Sequence, residues 1–176
     1  SEYVDGKIFY GIKTGYNEAF VIDRETKERL IAEDPRSAEV IKPFLAGRDI
    51  KRYQQPRSDK FLILFPKGFT IKRNLPDGDP NKIYQVNEPP RYGYMDYDPA
   101  WEWLKSKYPA IARHLKPHEA AAKKRTDKGD FWWELRACDY YGEFEKEKIM
   151  LPDISIKAEA LLDTNDTYCV NTAYII

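Results

Sequence analysis

The sequence predicts an α+β fold, with a mixed, mainly antiparallel sheet and helices packed against it. Two observations indicate this class: segments of helical and strand character follow one another without regular alternation, and no internal repeat is present. The length of 176 residues fits a single domain, expected to span residues 1–176, with a core of its own. A composition of 42% hydrophobic and 14% aromatic residues excludes a disordered chain.

The first part of the chain combines short strands with helical segments. Asp34 is a suitable N-cap, and Pro35 a suitable first helical residue. The run "KFLILF", bounded by polar residues and a proline, is typical of a strand buried on both faces. Gly15 can take the positive φ of a turn. Strands are therefore predicted at residues 7–12, 18–23 and 60–65, and helices at residues 24–33 and 34–45.

The second part begins with a long irregular stretch, residues 66–99, which is rich in Pro, Asn and Asp. A loop of this length is usually functional or mobile. Helical spacing resumes with Trp101, Leu104 and Tyr108 on one face. Helices are predicted at residues 99–115 and 117–125, and strands at residues 131–137, 148–156 and 167–176.

Charge is balanced overall, with 29 basic and 29 acidic side chains. This balance argues against a free-standing, non-specific nucleic-acid binder. It is uneven along the chain, since residues 42–60 and 113–125 are basic and residues 139–166 are acidic. The stretches are either charged binding faces or ordinary solvated faces.

Targeting and redox signals are few. Two cysteines do not make a disulfide framework, no signal peptide opens the chain, and no apolar run could cross a membrane. We therefore expect a cytoplasmic protein without a membrane partner. The sequence starts without Met and stops in the apolar run "TAYII", so we expect a piece of a longer protein.

Catalytic motifs are missing from the sequence. The glycine stretch "GIKTGYN" fits neither a Walker A loop nor a dinucleotide-binding loop. His114 and His118 have the spacing of a two-His ligand pair, but no third ligand is evident, so two solvated histidines are favoured. No catalytic residue and no metal ligand is predicted, which favours a binding module over an enzyme.

Three stretches, taken together, resemble one family. They are "GIKTGYNEAFVID" (11–23), "IKPFLAGRDIKRY" (41–53), and "YPAIARHL" (108–115) followed by "RTDKGDFWWELR" (125–136). Their order and spacing are similar to the TaqI-like C-terminal specificity domain, the target-recognition part of adenine-N6 DNA methyltransferases. Many of these are fused type IIG restriction–modification enzymes. The resemblance spans roughly residues 7–176.

The resemblance implies a DNA-recognition function for this chain. A domain of this family reads double-stranded DNA, while a methyltransferase domain elsewhere in the parent protein binds S-adenosylmethionine and methylates a flipped adenine. The family's Asn-Pro-Pro-Tyr catalytic motif has no counterpart here; "NEPP" (87–90) is not that motif. We therefore expect a non-catalytic DNA-binding module whose parent takes part in phage defence, and we leave open whether that parent also cleaves DNA.

Candidate DNA-binding residues follow from residue type and position. The glycine turn places its polar side chains to reach a phosphate or the flipped-base region, or forms a plain hairpin turn. The cations of "GRDIKRY" (47–53), which follows a predicted helix, and those at a helix C-terminus suit phosphate contacts, although the helix dipole alone would favour the latter. An arginine could reach a guanine edge. These candidates are Lys13, Thr14, Asn17, Lys51, Arg52, Lys123, Lys124, Arg125 and Arg136.

Neighbouring side chains receive other assignments. Arg48 and Asp49 are expected to pair and hold their loop. Residues 131–133, "FWW", are expected in the core and not as a base-stacking platform. Base-reading side chains are expected in the loop at residues 67–97, unless it is only a solvated loop; they are Lys72, Arg73, Asn74, Gln85, Asn87, Arg91 and Tyr92.

Three alternatives to this function stay open. The chain could be a recognition domain of a type I specificity subunit, although no long helical spacer is present. It could be a protein-interaction domain of a phage-defence complex. The third alternative is a hydrolase built around His114, His118 and Glu119.

Overall fold

The computed structural model describes residues 7–52, 59–73 and 99–176 and confirms the predicted α+β class. Eight strands are present in these residues: β1 (Phe9–Tyr10), β2 (Val21–Asp23), β3 (Ile41–Leu45), β4 (Lys60–Ile63), β5 (Lys148–Pro152), β6 (Leu161–Asp163), β7 (Tyr168–Cys169) and β8 (Ala173–Ile175). The helices are α1 (Asn17–Phe20), α2 (Arg24–Glu33), α3 (Phe69–Arg73), α4 (Pro99–Lys107), α5 (Pro109–Leu115) and α6 (Glu119–Lys123). Short 3₁₀ segments lie at Pro35–Glu39, Gly47–Asp49, Lys116–His118 and Tyr141–Glu145.

The strands form two four-stranded sheets in the described part of the chain. The first sheet has the order β1-β8-β5-β6 and is antiparallel throughout. The second has the order β2-β4-β3-β7, in which only β3 and β7 pair in parallel. Because β7 belongs to one sheet and β8 to the other, the turn between them (residues 170–172) carries the chain from sheet to sheet.

The core lies between these sheets and the helices. The interior strand β4 and the two residues after it are buried throughout residues 61–65, which confirms the prediction for "KFLILF". Helices α2, α4 and α5 contribute the fully buried Leu30, Leu104 and Ile111. In the part of the chain that the structure describes, no helix is long and apolar enough to span a bilayer.

Helix boundaries follow local chemistry. Helix α2 begins where the Asp23 carboxylate accepts the N–H of Thr26 at 2.8 Å. The helix predicted at residues 99–115 is divided at Tyr108, because Pro109 cannot donate a backbone hydrogen bond and starts a new helix instead.

Two predictions for the first part of the chain are wrong in detail. Residues 18–23 begin in helix α1 and only end as strand β2. The helix expected at residues 34–45 is a 3₁₀ segment followed by β3. Strand β3 contains Pro43, which lies opposite Phe61 of β4. The Leu64 N–H donates to the Val40 carbonyl, so the backbone groups of Pro43, three residues further on, point away from β4. On that other side β7 pairs only with the next two residues, so no N–H is needed from the proline.

Three predictions for the second part also change. Residues 131–137 form turns and not a strand. Strand β5 ends at Pro152, four residues before the predicted end. The expected last strand is two short strands, β7 and β8, that belong to different sheets.

A buried ion pair joins β5 to β6. The Lys148 ammonium donates to the Asp163 carboxylate at 2.6 Å and to the Phe144 carbonyl at 2.6 Å. Asp163 also accepts the N–H and the hydroxyl of Thr167, at 3.0 and 2.8 Å. The two charged side chains are 3% and 0% exposed, so each depends on the other for its charge to be tolerated.

Replacing Lys148 tests this dependence. Lys148→Met leaves the Asp163 carboxylate buried without a cation, and we expect a loss of about 3–5 kcal/mol in the free energy of unfolding, measured by urea denaturation. The matched control is Lys146→Met, which removes an exposed pair with Glu143 and should cost less than about 0.5 kcal/mol. Equal stabilities of the two variants would contradict the role of the buried pair.

Candidate functional site

Two glycine-containing segments pack against the 170–172 turn. A Cβ atom on Gly11 would overlap the carbonyl oxygen of Val170, and one on Gly47 would overlap the carbonyl oxygen of Thr172. The N–H of Gly47 also donates to the Thr172 hydroxyl at 3.0 Å. Both positions therefore require glycine for a close backbone approach. The stretches "GIKTGYN" and "GRDIKRY" therefore meet at the 170–172 turn, although Gly11 and Gly47 are 36 positions apart in the sequence.

Shallow depressions of about 240 and 300 Å³ lie beside this turn. Lys13 and Asn171 line both. The first continues along the glycine turn to Asn17, and the second contains Arg136. Four of the predicted residues thus line these depressions together with Asn171: Lys13, Thr14, Asn17 and Arg136. The Lys13 side chain is exposed, and no described residue forms an ion pair with it.

Lys51 and Arg52 follow the second of the two segments that contact the turn. They follow the 3₁₀ segment Gly47–Asp49, which is fixed to Thr172. Both side chains are exposed, and the backbone N–H of Arg52 donates to the Glu159 carboxylate at 2.6 Å. Predicted cations therefore follow both glycines that contact the turn, Lys13 after Gly11 and Lys51 after Gly47.

The loop before Lys51 is held mainly by Asp49. Its carboxylate accepts the N–H of Ala46 at 3.0 Å. Arg48 approaches Asp49 only to 3.9 Å, and its side chain is 88% exposed. The expected pair is present, but an exposed contact of this length contributes little to stability.

Arg125 lies in the interior and not on the predicted phosphate-binding surface. It is only 6% exposed. Its guanidinium donates to five backbone carbonyls, those of Thr14, Ala122, Asp127, Trp132 and Glu134. An arginine side chain has five N–H donors, so every donor has a partner within the protein. Burial lowers the pKa of Arg125 to about 10, which leaves it charged at neutral pH.

The glycine turn is one of the segments that Arg125 holds. Gly15 has a φ of +68°, and its backbone lies against Arg125 and Asp127. Thr14 is 3% exposed, and its hydroxyl donates to the Asn17 side-chain oxygen at 2.5 Å. Thr14 therefore shapes the turn from inside, while Lys13 and Asn17 face the solvent.

Glu134 fixes the segment on the other side of Arg125. Its fully buried carboxylate accepts the backbone N–H groups of Gly68, Thr70 and Asp130, at 3.2, 2.9 and 3.0 Å. Burial raises the pKa of Glu134, and these hydrogen bonds oppose that rise. The neighbouring Trp132 and Trp133 are 7% and 0% exposed, which confirms that the "FWW" stretch belongs to the core.

The basic stretch at residues 113–125 is largely neutralised. Arg113 pairs with Glu33 at 2.8 Å. Lys116 and Lys123 both pair with Glu119, at 2.5 and 2.6 Å. With Arg125 buried, Lys124 is the predicted cation of this stretch that is exposed and forms no ion pair with a described residue.

The other candidates are distributed as follows. Arg73 contacts Glu39 at 3.4 Å and lies over the ring of Phe69, whereas Lys72 is exposed. Arg136 is half-exposed and approaches Asp127 to 3.6 Å. The candidates Asn74, Gln85, Asn87, Arg91 and Tyr92 lie outside the described residues.

The two histidines support the glycine turn. Nδ1 of His118 lies 3.3 Å from the Tyr16 hydroxyl, and Nε2 of His114 lies 3.2 Å from the Ala19 carbonyl. Both rings are half-buried, so they are less solvated than predicted, and burial lowers the pKa of His114. Within the described ranges, no group of three His, Cys, Asp or Glu side chains is placed to hold a metal ion.

Three lining residues were missed by the sequence analysis: Tyr10, Tyr140 and Asn171. Asn171 lies at the tip of a turn that the sequence analysis assigned to a continuous strand. The "NT" pair was an available signal, because Asn is depleted in strands and favoured in turns. No simple pattern marks the two tyrosines, since the chain has thirteen.

Comparison with known proteins identifies the class of this domain. A family model described as the TaqI-like C-terminal specificity domain matches residues 42–176. This is well over half of the chain, and the chain therefore belongs to that family. The match includes the segments around Gly47, Arg125 and Asn171, and the resemblance seen in the sequence is confirmed. The "GIKTGYN" stretch precedes the matched residues.

One solved structure that the comparison matched is that of the type IIL restriction-modification enzyme MmeI in complex with DNA. The sequence identity is 13%, the TM-score is 0.47, and the similarity covers 96% of this chain and 19% of that chain. The present chain thus spans about a fifth of the length of that enzyme. The search of curated proteins found no significant match.

Arg125→Lys tests whether the guanidinium holds the site together. Lysine keeps the charge but has three donors in place of five, so at least two buried carbonyls lose their partner. We expect a loss of about 2–4 kcal/mol in the free energy of unfolding, measured in urea. The control Lys124→Arg, at the exposed neighbouring position, should change it by less than about 0.5 kcal/mol. A similar stability of the two variants would show that Arg125 does not organise these segments.

Proposed function

We propose that this chain is the sequence-specific DNA-recognition module of an adenine-N6 DNA methyltransferase or of a fused restriction–modification enzyme. It is non-catalytic by itself and positions double-stranded DNA for the methyltransferase domain of its parent. S-adenosylmethionine binds to that catalytic domain. Membership of a specificity-domain family supports the general class, and the proposal extends it to DNA and to adenine methylation.

The observation that carries the proposal is the clustering of cations around the 170–172 turn. Lys13 and Lys51 each follow a glycine that contacts the turn, and no described carboxylate pairs with either ammonium group. Lys124 adjoins Arg125, whose guanidinium binds the turn that carries Lys13. Elsewhere many exposed cations form ion pairs with carboxylates. Unpaired lysines on one surface suit phosphate groups, which hold DNA without reading its sequence.

Polar side chains between these lysines suit base recognition. Asn171 lies at the centre of the surface, with Asn17 and Arg136 in the adjoining depressions. An asparagine amide can bind the N6 and N7 atoms of adenine, and a guanidinium can bind the O6 and N7 atoms of guanine. We therefore assign the three lysines to phosphate contacts, and Asn17, Arg136 and Asn171 to base edges.

The absence of net charge limits how tightly the chain binds alone. With 29 basic and 29 acidic groups, long-range attraction to DNA is weak, and binding depends on the local cluster of lysines. The parent's catalytic domain supplies the remaining contacts. We expect the isolated chain to bind DNA measurably only at low ionic strength.

Fluorescence anisotropy with a pool of random-sequence duplex DNA tests the proposal. Binding at about 50 mM salt should weaken steeply at about 200 mM. The variant Lys13→Glu/Lys51→Glu should raise Kd by at least roughly tenfold, and it should reduce the slope of log K against log salt by about 2, because two phosphate contacts are lost.

The matched control is Lys105→Glu/Lys107→Glu, which changes the net charge equally at exposed positions of helix α4. It should weaken binding much less. Equal effects of the two variants would mean that only overall charge matters. Absence of binding at low salt, by this chain and by the full-length parent, would reject the DNA-recognition role and favour a protein partner.

A further inference from the structure

The loop between β5 and β6, residues 153–160, presents two isoleucines to solvent. Ile154 is 89% exposed and Ile156 is 102% exposed, more than any other large apolar side chain described. Alternation in "DISI" would normally place both isoleucines on the buried face of a strand. Since β5 ends at Pro152, neither side chain has a core to enter.

The loop is held by hydrogen bonds despite this exposure. At its start, the N–H of Asp153 donates to the Thr172 carbonyl at 2.8 Å. In its middle, the Ser155 hydroxyl donates to the Lys157 carbonyl at 2.5 Å. Near its end, the Glu159 carboxylate accepts the N–H of Arg52 at 2.6 Å. The isoleucines therefore project from a loop that is fixed to the rest of the domain on both sides.

These anchors place the loop within the candidate DNA surface. Thr172 belongs to the 170–172 turn, next to Asn171, and Arg52 adjoins Lys51. The apolar tip is thus flanked by the polar residues and cations to which DNA binding is assigned above. Because the loop is attached to these groups, a ligand that binds them would also reach the two exposed isoleucines.

We propose that Ile154 and Ile156 form an apolar wedge that inserts into a base-pair step of the bound duplex and partly unstacks it. The inference rests on the proposed DNA-recognition function and adds deformation of the DNA to it. Isoleucine is one of the side chains that DNA-bending proteins insert between base pairs, usually from the minor groove. Burial of the two isoleucines between bases is favourable, and it offsets the free-energy cost of unstacking the step. The resulting bend brings the lysines closer to the phosphates.

Attachment to the candidate surface favours DNA over an apolar protein surface as the occupant, and the charges beside the loop are compatible with it. Lys157 follows Ile156 in the loop, and Lys51 precedes Arg52, whose N–H donates to Glu159; both lysines are exposed. The nearby carboxylates already accept hydrogen bonds, Asp153 from the Tyr174 hydroxyl at 2.7 Å and Glu159 from Arg52. These donors are neutral, so both carboxylates keep their charge, and the two lysines offset it; the loop therefore does not repel a phosphate as a whole.

A mismatch-preference experiment tests the wedge. Two duplexes of the same sequence are compared by anisotropy at low salt, one fully paired and one with a central T·T mismatch. Because a mismatched step is easier to unstack, the chain should bind it roughly tenfold more tightly. The variant Ile154→Ser/Ile156→Ser should bind both duplexes about equally, with at most a small loss on the paired one. Both substitutions are at exposed positions, so the fold is retained.

The control Ile149→Ser/Leu162→Ser changes two exposed, directly paired residues on the outer face of the first sheet, and it should keep the preference. Binding without a mismatch preference, or a preference that survives in the Ile154/Ile156 variant, would reject the wedge while leaving DNA recognition intact. Failure to bind either duplex would reject both for the isolated chain. A wild-type dimer that only the Ile154/Ile156 variant converts to monomer in size-exclusion chromatography would also reject the wedge.

Discussion

The buried guanidinium of Arg125 is the interaction on which the surface around Asn171 depends. It joins the end of α6, the glycine turn and the tryptophan-containing segment through five carbonyl hydrogen bonds. It also lies over the ring of Phe20, 4.3 Å from the centroid. At that point, none of these segments is held by a regular series of backbone hydrogen bonds. A single charged group with a planar set of donors takes the place of secondary structure there.

Two close backbone approaches complete the scaffold. Gly11 and Gly47 bring separate segments against the 170–172 turn, and Glu134 ties α3 to the segment that follows Arg125. The polar and cationic side chains that we assign to DNA project from elements that are fixed in this way. A recognition surface benefits from such rigidity, because its side chains need not be ordered when the ligand binds.

The sequence predicted the fold class, helix α2, the buried strand β4 and the membership of the tryptophans in the core, because each has a strong local pattern. It failed where long-range hydrogen bonds decide the conformation. Residues 131–137 have strand-like composition, yet the carbonyls of Trp132 and Glu134 bind Arg125 and not a neighbouring strand. Arg125 itself follows two exposed lysines at the end of a short helix, and nothing in its local sequence marks it as buried.

The candidate site was predicted only in part for the same reason. Lys13 and Lys51 are recognisable from residue type and turn position, but their connection to one turn depends on the contacts of Gly11 and Gly47 with distant residues. Asn171 and the exposed isoleucines lie just beyond the ends of β7 and β5. Both positions were predicted to belong to longer strands, so the sequence did not mark them as part of a surface. A short strand and a loop can share the same alternation, and pairing partners alone decide between them.

The central claim is that duplex DNA lies across the 170–172 turn, and backbone amide NMR of the isotope-labelled chain tests it most directly. On addition of random-sequence duplex DNA at low salt, we expect the largest shifts at Lys13, Asn171 and Ile156 and in the segments around them, with little change along helix α2. Shifts centred on α2 or on the outer face of the first sheet would place DNA elsewhere and contradict this assignment.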